Sequence, residues 1–376
     1  MISAHPPLWL VLLAFVCALG PLVFFHELGH YLVARLFGIP AETFSIGFGH
    51  ELIGWTDRQG TRWKIAWLPL GGYVKFVGDM SPASNPAELE GIPAELRDRA
   101  FQVRPVWQRF LVVLAGPAAN FLLAILIFTA FFSLLGTPRT NIVGEIVPNT
   151  GAAAAGLKGG DRIVAIDGRA TPTFDDVASV VMIRPDQNVV IEIARGREKL
   201  DLPVRLGSAM VPDAAGRKIR AGVLGIHSTT QVNDPVPVLQ ALPMATHQTA
   251  RMVATIVDGL GQLVRGQVSP KELGGPITIA RVAGTGAELG LFPFIGLVAL
   301  LSINLGFINL LPVPMLDGGH LFFYVVEAVR RRPLSAGAMD VAFRGGLALV
   351  FALMIFVTVN DLSSLGLWER LQRLIG

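Results

Sequence analysis

Four stretches of the chain are continuously apolar, helical in pattern and long enough to cross a lipid bilayer. They run from Leu8 to Phe25, about Val106 to Leu135, about Leu291 to Leu316, and about Gly345 to Val359 or slightly beyond. The first has no Lys or Arg before it and no small-residue cleavage site, so it reads as a retained membrane helix rather than a signal peptide. Its helical pattern continues through His26, Glu27 and His30 to Phe37, carrying polar side chains to membrane depth. An imidazole pair and a carboxylate there cost several kcal/mol unless each other, a metal or water satisfies them, so their presence asks for a function.

Between the spans the period changes. Arg62 to Phe76 alternates aromatic or branched residues with polar ones around Gly71-Gly72, which predicts a β-hairpin. Its apolar character predicts that it dips into the membrane, where strand edges need protein cover. From Gly136 onward the grammar is that of a soluble domain. A strand over Asn141 to Val147 precedes a small-residue helix near Gly151 to Gly156 and a turn at Gly159-Gly160-Asp161. A strand over Arg162 to Ile166 ends in Asp167-Gly168, a pair suited to positive φ. Asn188 to Ala194 and Lys199 to Arg205 form a hairpin around Arg195-Gly196-Arg197. The whole is a β-rich module of roughly 85 residues. Val236 to Val268 has the spacing of a helix lying along a surface or packed on the neighbouring domain.

Composition sharpens this picture. Of 376 residues 52% are hydrophobic and only 16% charged, which excludes an ordinary cytosolic enzyme. The net charge of +3 comes from 31 basic and 28 acidic residues spread along the chain, so there is no nucleic-acid footprint. Cys17, the single cysteine, lies in an apolar run and excludes an internal disulfide and thiol redox chemistry. Arg330, Arg331, Arg332 and Arg344 crowd the connection after the third span, and Arg35, Arg104 and Arg109 flank the first two on the same side. The positive-inside rule makes that side cytoplasmic. With four crossings both termini, and the long segment from Gly136 to Gly290, then face the opposite compartment, the periplasm of a Gram-negative bacterium.

His26-Glu27-Leu28-Gly29-His30 is an HExxH pattern, which puts two imidazoles on one helical face with a glutamate beside them. Catalytic zinc takes three protein ligands and keeps a fourth position for water. Asp317 is the candidate for the third: it closes Asn309 to Gly319, where prolines and glycines break a membrane helix and free a carboxylate to reach inward. His320 is a weaker competitor, and a helix-capping role for Asp317 stands as its alternative. The other histidines, His5, His50, His227 and His247, lack ligand spacing.

HELGH in a first membrane helix together with NLLPVPMLDGG in a later one resembles the site-2 protease family of intramembrane zinc metalloproteases. Gly47-Phe48-Gly49 is similar to that family's GxG segment and Gly116-Pro117-Ala118-Ala119-Asn120 to its second-helix motif, so the resemblance extends nearly end to end. Its bacterial, RseP-like branch, which acts in envelope stress signalling, is the nearest likeness. The resemblance implies a multi-pass α-helical membrane protein of about four transmembrane helices, with a re-entrant β-hairpin and an inserted periplasmic PDZ-like domain. It divides the chain into 1–37, 38–105, 106–135, 136–230, 231–290, 291–319, 320–343 and 344–376: first span, membrane-embedded β region, second span, PDZ-like domain, amphipathic linker, third span, basic loop, and fourth span with the C-terminal segment. This chain has room for one clear PDZ copy where well-known members of that branch have two.

The resemblance further implies Zn2+ held by His26, His30 and Asp317, with Glu27 moving the proton of the attacking water. Asn309 and Pro312 would contact substrate, and Asn304 would either do so or bond between helices. The hairpin, with Gly71 and Gly72, would pair with an unwound substrate by strand addition, or be purely structural. The implied substrates are transmembrane proteins within the lipid bilayer: anti-sigma factors already cut outside the membrane, and remnant signal peptides. Two other readings stand beside this one, a membrane zinc protease of another class, which would need a glutamate third ligand, and a membrane-tethered PDZ scaffold with a vestigial metal site.

Overall fold

A computed structural model describes residues 6–78, 93–136, 141–212, 218–228, 235–266 and 274–364, which fall into two compact units. One comprises the chain up to Phe128 and from Thr246 onward; the other is Thr129–Ala245.

The first unit opens with helix α1, Leu8–Leu36, whose 29 residues make a rod of about 43 Å, longer than the roughly 30 Å apolar layer of a bilayer. Strands β1, Ala41–Thr56, and β2, Arg62–Phe76, follow and pair with each other. The hairpin expected within Arg62 to Phe76 is therefore half of a larger one. Its tight turn is at Asp57, whose carboxylate accepts from the backbone N–H of Gln59 at 2.8 Å and Thr61 at 3.0 Å. Gly71 and Gly72 instead mark a bend within β2, with Gly71 at φ 145°. Residues Thr43 to Ile46 lie opposite both Arg62 to Ile65 and Gly72 to Lys75, so the sheet curls and Gly72 to Phe76 forms one rim. After a short helix α2, Ala94–Arg97, comes α3, Val106–Leu135.

The Thr129–Ala245 unit contains β3 (Val143–Ile146), α4 (Gly151–Ala154), β4 (Arg162–Ile166), β5 (Arg169–Ala170), α5 (Phe174–Met182), β6 (Asn188–Arg195), β7 (Glu198–Arg205), β8 (Gly207–Pro212), β9 (Lys218–Val223) and β10 (Ile226–Ser228). Strand order β5-β4-β6-β7 builds its main sheet, while β10 pairs with β3 and β8 with β9. Asp167 and Gly168 both have positive φ in the β4–β5 turn, as their pairing predicts. Alternation along β6 buries Val189, Ile191 and Ile193 against Ile163, Ile166, Val177 and Val181. Each such side chain contributes about 1.5–3 kcal/mol. Helix α5, which the spacing did not predict, is started by a capping box between Thr173 and Asp176.

Helix α6, Val238–Val264, lies within the stretch Val236 to Val268 whose spacing predicts a helix. Helix α7, Pro276–Glu288, was not expected; it packs along α1, where Gly284 meets Val11. Helix α8 spans Leu291–Leu310, α9 Asp317–Arg330 and α10 Ala336–Ser364. The third apolar span thus ends at Leu310 rather than Leu316, because Pro312 and Pro314 cannot donate to a helix ladder. The fourth begins about nine residues earlier than its apolar core does. Among the described residues four helices are long and apolar enough to cross a membrane, α1, α3, α8 and Gly337–Ser363 of α10. The protein is a multi-pass membrane protein with β-sheet elements.

Candidate metal centre

On α1, His26 and His30 are one turn apart and both buried, as is Glu27. Their Nε2 atoms are 3.3 Å apart. Asp317, the first residue of α9, is brought to them by the break after α8. Leu311 to Leu316 is not helical, and Met315 sits at φ 86°, a strained value for a residue with a side chain. Asp317 Oδ2 lies 3.2 Å from His26 Nε2 and 3.6 Å from His30 Nε2. The capping alternative fails on geometry: Leu316 is the N-cap of α9 and no side chain caps that end.

The donor set fits zinc. A tetrahedral ion with ligands at about 2.0–2.1 Å separates them by roughly 3.3 Å, close to the three distances found. Asp317 Oδ2 is moreover buried, an anion facing two imidazole nitrogens. His26, His30 and Asp317 form the one group of potential metal ligands found among those residues. His320 lines the same cavity but stands outside the group, its ring against Phe343. His50, His227 and His247 are exposed and belong to no such group among the described residues; His5 lies outside them.

Helix α3 makes room for the centre. A Cβ on Gly29 would strike the backbone carbonyl of Ala115, and one on Gly116 would overlap the His30 ring, so two glycines allow α1 and α3 to meet closely. His30 Nδ1 is 2.9 Å from Val112 O, and His26 Nδ1 is 3.2 Å from the Asn120 amide. These α3 partners carry no metal-ligand pattern; their only sequence signal is the glycine-to-asparagine spacing of Gly116 to Asn120.

Around the centre lies a cavity of about 590 Å³ lined by Glu27, Gly71, Gly72, Val74 and Asn309, among others. Val74, on the rim of the curled sheet, lines the cavity together with Glu27. Asn309 Nδ2 is 3.5 Å from His26 Nε2. Asn304 is half-buried on α8 and Pro312 exposed, and neither lines the cavity. Arg109 on α3 ties down α9, with its guanidinium 2.7 Å from Glu327 and over the ring of Tyr324.

Residues 14–353 match peptidase family M50. The chain belongs to that family, the site-2 proteases. It is 44% identical over 359 residues to a protein of Agrobacterium fabrum named a zinc metalloprotease, covering 93% of this chain and 95% of the relative. It is 38% identical to metalloprotease MmpA of Caulobacter vibrioides, covering 94% and 96%. Membership of M50 makes this chain a zinc-dependent metalloprotease of the membrane.

Proposed function

We propose that the protein cleaves peptide bonds within the transmembrane segments of single-span substrates, with His26, His30 and Asp317 as its zinc ligands. The observation that carries this reading is the convergence of those three side chains, from two elements 287 positions apart in sequence, beside Glu27 on an apolar helix. When bound, zinc supplies Lewis acidity that activates water and polarises a peptide carbonyl. Glu27 accepts the proton that water loses and returns it to the departing amine.

A substrate helix must unwind before its amides are accessible, and the released groups need partners. The Gly72 to Phe76 rim pairs with β1 on one edge only, which supports its use as a template for strand addition. Exposed Phe48, Leu52, Ile53, Trp55 and Trp67 on the same hairpin support its entry into the bilayer. Asn309 is within the cavity to hold a substrate carbonyl, whereas Asn304 and Pro312 lie outside it. Residues 136–230 make a PDZ-like domain on the periplasmic side that selects chains already shortened outside the inner membrane, anti-sigma factors or remnant signal peptides. The arginines of 330–332 and Arg344 mark the cytoplasmic side.

Incubation of the purified protein with a single-span substrate tests the reading. Cleavage within the span, abolished by a chelator, restored by zinc and absent in Glu27→Gln, is expected. Intact substrate under every condition would leave a membrane-tethered scaffold; cleavage only outside the span would leave a membrane protease of another class.

A further inference from the structure

The HELGH motif rests on a stripe of α3 with the same four-residue spacing. Val112, Gly116 and Asn120 share one helical face. His30 stands over Gly116 with its Nδ1 on Val112 O, and His26 reaches Asn120 one turn along. A backbone carbonyl only accepts, so His30 carries its proton on Nδ1 and turns the Nε2 lone pair to the centre. His26 needs the same tautomer to be a ligand through Nε2, and therefore needs an acceptor at Nδ1.

Asn120, fully buried, is what meets that nitrogen. With its Nδ2 against His26 Nδ1, the amide would force the imidazole proton onto Nε2, among His30 Nε2, Asp317 Oδ2 and Asn309 Nδ2. That same orientation leaves Asn120 Oδ1 buried with no hydrogen-bond partner among the described residues. The two ends of an amide exchange by a half-turn about the last side-chain torsion, and the hydrogen-bond network decides between them. The half-turn gives Oδ1 a donor and frees His26 Nε2. We propose that Asn120 is a positioning residue, accepting the Nδ1 proton of His26 through Oδ1 and fixing the tautomer and ring plane in which His26 binds zinc. Ser302 on α8, through its hydroxyl bond of 2.8 Å to the Asn120 backbone carbonyl, anchors that point of α3.

The inference rests on His26 being a ligand, so the experiment separates the two claims. Zinc dissociation constants are measured by chelator competition on the purified full chain, for wild type, His26→Ala, Asn120→Asp and Asn120→Leu, alongside metal-free melting temperatures. Asn120→Asp, which keeps an acceptor, is expected to bind zinc within about threefold of wild type, and Asn120→Leu to weaken it on the order of 10–100-fold with little change in metal-free melting. Should His26→Ala bind like wild type, the ligand assignment itself fails. Should His26→Ala lose zinc while Asn120→Leu binds like wild type, or while Asn120→Asp weakens as much as Asn120→Leu, only the role of Asn120 is overturned. If Asn120→Leu does not fold, Asn120→Asp decides alone, a loss beyond tenfold refuting the acceptor role.

Discussion

His30 Nδ1 lies 2.9 Å from the carbonyl oxygen of Val112, so α3 fixes the proton of a histidine that we propose as a zinc ligand on α1. The contact exists because Gly29 and Gly116 leave no side chain between α1 and α3. Both histidines are thus held from behind as well as aimed from in front, the arrangement that supports ligating imidazoles generally.

Replacing Gly116 by Val should push the His30 ring off its partner. Overpacking costs about 1–3 kcal/mol, and the displaced ring should weaken zinc binding as well. Melting temperature and zinc content of the purified variant check this; a variant with wild-type zinc affinity would show that the ring has another place to go.

Glu27→Gln keeps the shape of the side chain and removes its basicity. Turnover of a single-span substrate should fall by about 10²–10⁴-fold. Zinc content should stay at the wild-type level, since the carboxylate is outside the ligand group. Elemental analysis beside a cleavage assay separates the two quantities.

Asp317→Ala removes the only carboxylate of the group. Zinc affinity should drop by more than the roughly 10–100-fold typical of losing a supporting partner. Unchanged zinc stoichiometry at limiting metal would transfer the third-ligand role elsewhere, with His320 the first residue to examine.

Arg109 and Glu327 are 13% and 18% exposed, buried enough that neither charge is well hydrated alone. Arg109→Leu should destabilise the protein by about 3–5 kcal/mol, and the double variant with Glu327→Leu should recover much of it. Thermal unfolding in detergent of both variants is the measurement; equal losses would show that the pair is not what seats α9.

Stability of the Thr129–Ala245 unit should fall in acid through Asp161. Burial alone would raise this carboxyl, but the hydrogen bonds from Arg195 and from the Lys158 N–H at 2.7 Å outweigh it and hold the group below its ordinary value. A carboxyl depressed by folding contributes its stability above the unfolded value near 4 and loses it as pH drops through the folded one. Asp161→Asn should cost about 1–3 kcal/mol at neutral pH and flatten the acid limb of the unfolding curve. A limb that keeps its wild-type slope would assign the acid sensitivity to other carboxyls.

What the sequence determined by itself was whatever depends on local spacing. The i, i+4 period of a helix puts His26 and His30 on one face, apolar length marks the four spans, and Asp167-Gly168 specifies a turn, none of which needs a distant partner. The prolines and glycines of Asn309 to Gly319 likewise signalled a broken helix, though not where it breaks. Only the tertiary structure decided that Asp317 leaves its own helix uncapped and faces the imidazoles. It also showed that β2 takes its partner from Ala41–Thr56, and that Asn309 reaches the cavity while Asn304 and Pro312 do not. The bed formed by Val112, Gly116 and Asn120 was the least legible part. A backbone carbonyl and an absent side chain carry no chemical label in a sequence, and their meaning appears only when another helix lies against them.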